Sequence, residues 1–302
     1  MKQSNTGLLQ FMKACKSEVE QRLDELVRPS RDDSARIYEA MRYSLLSGGK
    51  RLRAVLMIAV ADVVFGSHAH VLDAACALEM IHAYSLIHDD LPCMDDDDLR
   101  RGMPTNHRVF GEAMAVLAGD GLLTLAFVTL AGMPISPPVT HDRLLRCIEE
   151  IGVGAGPEGM VRGQALDIAS TGAADVSVDL LRSIHAAKTG ALFLAAVRAA
   201  AILSGASDRV LSSLSAYARA LGLVFQIRDD MLDVIGNEAA LGKRVGSDYS
   251  KKKASYPAVF GMEESQRLML EAVASGHEAL AAEGLSNTLL SEILDYAATR
   301  DR

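Results

Sequence analysis

The chain of 302 residues contains no tryptophan, and aromatic residues make up only 5% of it. Strict apolar/polar alternation is almost as scarce, which leaves little to build a half-buried sheet from. Disulfide chemistry is missing too. The four cysteines (Cys15, Cys76, Cys93, Cys147) lie far apart and form no C-x-x-C pair. With an amphipathic rather than signal-like start, MKQSNTGLLQFMKACKSEVEQRL, they point to a reduced, cytoplasmic protein. A basic excess is lacking: the net charge of −8 argues against a general nucleic-acid binder. The basic stretch RRGMPTNHR adjoins an acidic run and has no interleaved aromatics, so it makes a poor stacking platform. No membrane span is expected, because the longest uncharged run, Gly121 to Thr140, contains Pro134, Pro137 and Pro138. Repeats, low-complexity linkers and composition shifts are absent as well, which leaves one domain over 1–302.

What is present is helical. Apolar residues make up 49% of the chain, with Ala, Leu and Met abundant, and these side chains give up little entropy in a helix. Helical periodicity covers roughly 7–27, 34–46, 51–64, 69–90, 110–131, 141–154, 158–168, 178–204, 207–235, 255–278 and 286–299. Gly/Pro/Asp clusters separate these segments. The expected fold class is all-α. The long loop from Gly236 to Ser250 reads as functional.

Two acidic clusters carry the chemistry. Six aspartates fall between Asp89 and Asp98 in IHAYSLIHDDLPCMDDDDLRRG. On an unbroken helix Asp89 and Asp95 would point about 240° apart, so they share a ligand only if the chain bends, and Pro92 is placed to allow it. Alone, such a run reads more readily as a solvated acidic loop. In LVFQIRDDMLDVIG, however, Asp229 and Asp233 stand four residues apart on one face of an apolar helix, a repulsive arrangement that a cation would relieve. Carboxylates from two places suit a hard ion such as magnesium, which takes oxygen ligands and shares them with substrate phosphates. Two acidic walls then make a dinuclear or trinuclear site for a diphosphate.

Basic residues stand where a diphosphate needs them. Ser47-Gly48-Gly49-Lys50-Arg51-Leu52-Arg53 lies at a glycine turn opening a helix, a favourable place for anions, though it is not a P-loop. Arg100 and Arg101 follow the Asp run, and Arg is the better bidentate partner for phosphate. His82 lies two turns before Asp89 and by itself reads as a core histidine. Lys188-Thr189-Gly190 interrupts an apolar helix, Lys243 sits in the long loop, and Lys251-Lys252-Lys253 opens the next helix.

These segments together resemble the short-chain trans-prenyl diphosphate synthases, bacterial farnesyl diphosphate synthases in particular. GGKRLR (48–53), EMIHAYSLIHDDLPCMDDDDLRRG (79–102), GMVRGQALDI (159–168), KTGALF (188–193), FQIRDDMLD (225–233) and KKASYP (252–257) fall in that family's order. The resemblance implies a bundle of long antiparallel helices around one deep cavity (the isoprenoid synthase fold), a homodimer, and three Mg2+ ions per site. Asp89, Asp95 and the supporting Asp90 would hold two ions, and Asp229 with Asp233 the third. Lys50, Arg53, His82 and Arg101 would bind isopentenyl diphosphate. Arg100, Lys188, Lys243 and Lys253 would grip the allylic diphosphate, while Thr189 and Gln226 lie beside the developing cation. Two departures are visible: Ala54 stands where the family commonly has Pro, which would loosen the helix start, and Ser255 where it commonly has Thr. Ser85 lies one turn, about 6 Å, from Asp89. Tyr84 is offset by about 140°, so spacing alone does not make it the cavity floor. In the family, an aromatic residue at Tyr84's position accompanies a fifteen-carbon product. A geranylgeranyl synthase and a non-catalytic partner subunit are the rival readings; a terpene cyclase fits the DDMLD sequence poorly.

Overall fold

The computed structural model describes residues 4–29, 31–172, 177–235 and 255–301. Among these the chain is helical but for one hairpin. The helices are α1 (Ser4–Leu26), α2 (Ala35–Leu45), α3 (Leu52–Phe65), α4 (Leu72–Asp89), α5 (Asn106–Phe110), α6 (Glu112–Ala131), α7 (His141–Ala155), α8 (Met160–Ser170), α9 (Val178–His185), α10 (Ala191–Leu203), α11 (Asp208–Ile235), α12 (Tyr256–Phe260), α13 (Met262–Ala281) and α14 (Leu289–Thr299). The strands β1 (Leu99–Arg100) and β2 (Met103–Pro104) pair antiparallel.

Burial explains the layering. In α3 every residue from Ala54 to Ala61 is inaccessible to solvent, and α4 and α10 are nearly as enclosed. Helices apolar on all faces belong in the middle of a fold. The amphipathic α7 packs on α10 and α13 on α11, while α6, apolar on all its faces, packs on α4 and leaves Leu117 and Val128 exposed; α10 also touches α3 and α11. Thr140 and Ser177 start α7 and α9 by accepting the backbone N–H of Arg143 and Leu180 through their side chains.

The structure divides some segments that periodicity alone runs together. The expected helices 110–131 and 255–278 are cut at Gly111 and Gly261, whose φ angles of +87° and +80° no other residue type adopts easily. The expected helix 178–204 widens into a π-turn at Ala186–Gly190 between α9 and α10. One expectation needs correction. By length and composition α6, the run Val178–Leu203 and α11 are each apolar enough to cross a membrane. The reading from uninterrupted runs missed them because isolated charges such as Asp120 do not disqualify a long helix. In the fold all three pack against other helices of the bundle.

Candidate active site

α4 ends at Asp89, and the chain then doubles back. The Leu91 N–H donates to the His88 carbonyl at 3.1 Å, and the Asp95 N–H returns to the Asp89 carbonyl at 2.8 Å. The bend around Pro92 thus brings the Asp95 backbone back against that of Asp89. Asp96 takes a left-handed conformation within it, one that Asp tolerates better than most residues. Arg101 and Gly102, at φ +54° and +78°, are the central pair of the β1–β2 hairpin, as a tight two-residue turn demands. That turn directs the two arginines to different places. Arg100 Nε donates to both oxygens of the buried Asp90, at 2.8 and 2.9 Å. Arg101 donates instead to the Gly48 carbonyl. The Arg101 guanidinium lies over Gly49, where a Cβ would come within 2.8 Å of it, and the Gly49 φ of +114° is one that glycine adopts freely.

The basic residues form a desolvated wall. Arg53 lies over the Phe193 ring at 5.0 Å. Burial lowers its pKa, and the charges of Glu79 and Asp229 partly offset this. Asp229 therefore acts on the same wall from α11. His82 is pushed well below the ordinary histidine value by burial and then by Arg53, Arg101, Arg100 and Arg51. Both effects favour the neutral ring, which keeps one N–H to donate.

A third wall comes from the π-turn and α11. Lys188 Nζ pairs with Asp167 of α8 at 2.6 Å. The Thr189 hydroxyl donates to Gln226 Oε1 at 2.6 Å, and Gln226 Nε2 donates to Asp230 Oδ1 at 2.7 Å. The other Asp230 oxygen accepts the Tyr256 N–H at 2.8 Å. Asp230 is thus a buried brace, while Asp229 is half-exposed and Asp233 buried on the same helix.

A cavity of about 370 Å³ lies between the end of α4, α8 and the π-turn; Asp90, Arg100 and Arg101 line a separate pocket that shares His82 with it. Asp89, Arg53, His82, Lys188 and Thr189 line the cavity's polar part, and Met94, Met160, Val161, Ala165 and Ile168 its apolar part. Tyr84 and Ser85 both line it, so the helical-wheel offset of Tyr84 does not keep its ring out. Burial and the Asp89 charge push the Tyr84 hydroxyl up to about 12. Lys50 is half-buried at the turn before α3. Lys243, Lys253 and the loop 236–250 lie outside the described residues.

Several polar partners escaped the sequence reading. Arg300, just past α14, donates to Asp229 at 2.6 Å and stacks over Phe225 at 3.9 Å. Asp167 and the buried Glu79 are also new. Asp167 and Glu79 are isolated charges within largely apolar helices, a signal the sequence offers; Arg300, in the charged C-terminal stretch, carries no such signal.

Comparison with known proteins agrees with this geometry. The polyprenyl synthetase family model matches residues 34–288. The chain is 44% identical over 294 residues to the farnesyl diphosphate synthase of Geobacillus stearothermophilus, covering 97% of both chains. It is 48% identical over 271 residues to the heterodimeric geranylgeranyl pyrophosphate synthase large subunit 1 of Arabidopsis thaliana, covering 88% of this chain and 72% of that one. A geranyltransferase structure from Legionella pneumophila superposes with a TM-score of 0.86 at 31% identity, covering 99% of this chain and 98% of the other. The chain belongs to the polyprenyl synthetase family and is a trans-prenyl diphosphate synthase.

Proposed function

We propose that the protein condenses isopentenyl diphosphate with dimethylallyl and then geranyl diphosphate, releasing farnesyl diphosphate. The observation that carries the product length is Tyr84, a bulky residue lining the cavity five positions before Asp89. The ring packs edge-on against His88 at 5.7 Å, and His88 in turn fills the space over Gly119, where a Cβ would lie 2.1 Å from its ring. An aromatic stack backed by a helix is a stiff stop for a growing chain. A geranylgeranyl product is the second reading, favoured by relatives of that activity at similar identity.

The residues divide the work. Lys50, Arg53, Arg101 and neutral His82 hold isopentenyl diphosphate; Arg100 and Lys188, with Lys243 and Lys253, hold the allylic diphosphate. The Thr189 proton is committed to Gln226, so the hydroxyl lone pairs face the cavity and stabilise positive charge on the allyl group. Apolar walls keep water from that cation. Its capture by the second double bond, and proton loss to the released diphosphate, complete the reaction.

The donor set fits magnesium. Among the described residues, no three His, Cys, Asp or Glu side chains cluster closely enough to hold an ion by themselves. Mg2+ is a cation usually held by one or two carboxylates, with water and substrate oxygens completing its shell. Asp89 and Asp95, supported by Asp90, and Asp229 with Asp233 are the residues that would hold three ions. Bound there, the metal would supply charge stabilisation to the departing diphosphate.

We further propose a homodimer in a reducing cytoplasm. The cysteines are all free thiols, and Cys15, Cys76 and Cys147 are buried. Neighbouring helices α6 and α7 expose Leu117, Val128, Leu145 and Val153, a set of side chains that a second copy would cover. Sedimentation of the wild type as a dimer, and of a Leu117→Glu/Leu145→Glu variant as a monomer, is the expected result.

The product is read by incubating the protein with magnesium, dimethylallyl diphosphate and labelled isopentenyl diphosphate. Wild type should stop at fifteen carbons and Tyr84→Ala at twenty. A variant that still stopped at fifteen would remove Tyr84 from the explanation, and a wild type that made twenty would establish the geranylgeranyl reading.

A further inference from the structure

Glu79 is a carboxylate in the middle of α4, only 2% exposed, with apolar residues on either side in the chain. A charge in such a place needs partners, and it has them on the adjoining helix. Its Oε2 accepts from Arg51 Nη1 at 3.4 Å, and its Oε1 accepts the backbone N–H of Ala54 at 3.3 Å. Arg51, 4% exposed, adopts the left-handed conformation just before α3, with φ +52°. Its guanidinium also donates to the Leu45 carbonyl at the end of α2 and lies 3.5 Å from Glu20 of α1.

The Ala54 contact bears directly on the departure noted in the sequence. The first four N–H groups of a helix have no partner within it. A proline at position 54 would remove one such donor and preset φ. Ala54 restores the donor and frees the backbone, and the Glu79 carboxylate takes up that N–H. The expected loosening of the helix start is thereby countered from α4.

We propose that Glu79 is a positioning residue: through Ala54 and Arg51 it locks the start of α3, and hence Lys50 and Arg53, to the helix that ends in Asp89. Lys50 and Arg53 stand on either side of Arg51 and Leu52, so the clamp holds the segment between them rather than any atom of substrate. The consequence is directional. Losing Glu79 disturbs the isopentenyl diphosphate side of the site and leaves the Lys188 and Thr189 side, carried by α8, α11 and the π-turn, in place.

The inference rests on the proposed roles of Lys50 and Arg53, and the test separates the two. Glu79→Gln should raise the KM for isopentenyl diphosphate about tenfold, the usual effect of losing a buried charge-assisted contact, with kcat and the allylic KM within about twofold. Amide exchange at residues 52–55 should quicken by a similar factor. Adding Ala54→Pro, which leaves no N–H to satisfy, should return the KM and the exchange at the remaining amides toward wild type. Arg51→Met/Glu79→Leu removes both buried charges and keeps the fold; it should still show the raised KM. Unchanged exchange in Glu79→Gln, all kinetic constants moving together, or wild-type KM in Arg51→Met/Glu79→Leu would each overturn the clamp. If wild type condensed no isopentenyl diphosphate, the assignment of Lys50 and Arg53 would fall, while exchange would still judge Glu79.

Discussion

Replacing Asp89 by Asn is expected to lower kcat by roughly 10³-fold while leaving the metal-free protein folded. The magnitude follows from the task. Ionising an allylic diphosphate builds negative charge on the leaving group, and one preorganised stabiliser of such charge is worth about 10²–10³ in rate. Asp89 stands at the end of α4, lines the cavity, and has Asp95 beside it through the 2.8 Å backbone bond. Asn has the same shape but no charge, so the bend at Pro92 survives. The side chain is only partly buried, which keeps the stability change within about 0.5 kcal/mol. In EDTA the melting temperatures of variant and wild type should agree within a few degrees. With Mg2+ and inorganic diphosphate the wild type should be stabilised, as expected of a ligand that binds only the folded state, and the variant much less. A variant retaining more than a tenth of wild-type turnover would remove Asp89 from the metal site.

How much of this could be read from the chain alone depended on how local the physics was. The bundle was legible, because apolar periodicity and helix-favouring composition act over a few residues. The cuts at Gly111 and Gly261 were not, since a lone glycine in a helical pattern is ambiguous until its φ is known. The bend between Asp89 and Asp95 was inferable, because a proline between two needed carboxylates is a local signal. The partners of the site residues were a different matter. Arg300 with Asp229, Lys188 with Asp167 and Glu79 with Ala54 join positions 71, 21 and 25 residues apart, and only the packed fold says which charges meet. Tyr84 shows the limit from the other side. The wheel set it away from Asp89, yet an aromatic ring is long enough to reach the cavity from a neighbouring face.

The π-turn that carries Lys188 and Thr189 is gripped by glycines on both sides, and Gly163→Ala should break that grip. A Cβ on Gly163 would lie 2.1 Å from the Lys188 backbone nitrogen and 2.4 Å from its Cα. These are backbone atoms, so no side-chain rotation relieves the overlap, and α8 must separate from the turn. Four residues further along the same face of α8 stands Asp167, the 2.6 Å partner of Lys188, so the displacement also stretches that pair. Overpacking of this kind typically costs about 1–3 kcal/mol of stability. A shift near 1 Å in catalytic groups costs about 10²-fold in kcat. The other side offers an internal control. A Cβ on Gly222 of α11 would approach the Gly190 Cα at 3.0 Å, a contact that movement of a few tenths of an ångström relieves. Gly222→Ala should therefore lose less than about tenfold in kcat by the same scaling. Steady-state kinetics and thermal melts of the two variants measure the contrast. A Gly163→Ala enzyme within fivefold of wild type would mean that the turn does not depend on close contact with α8 to place Lys188 and Thr189.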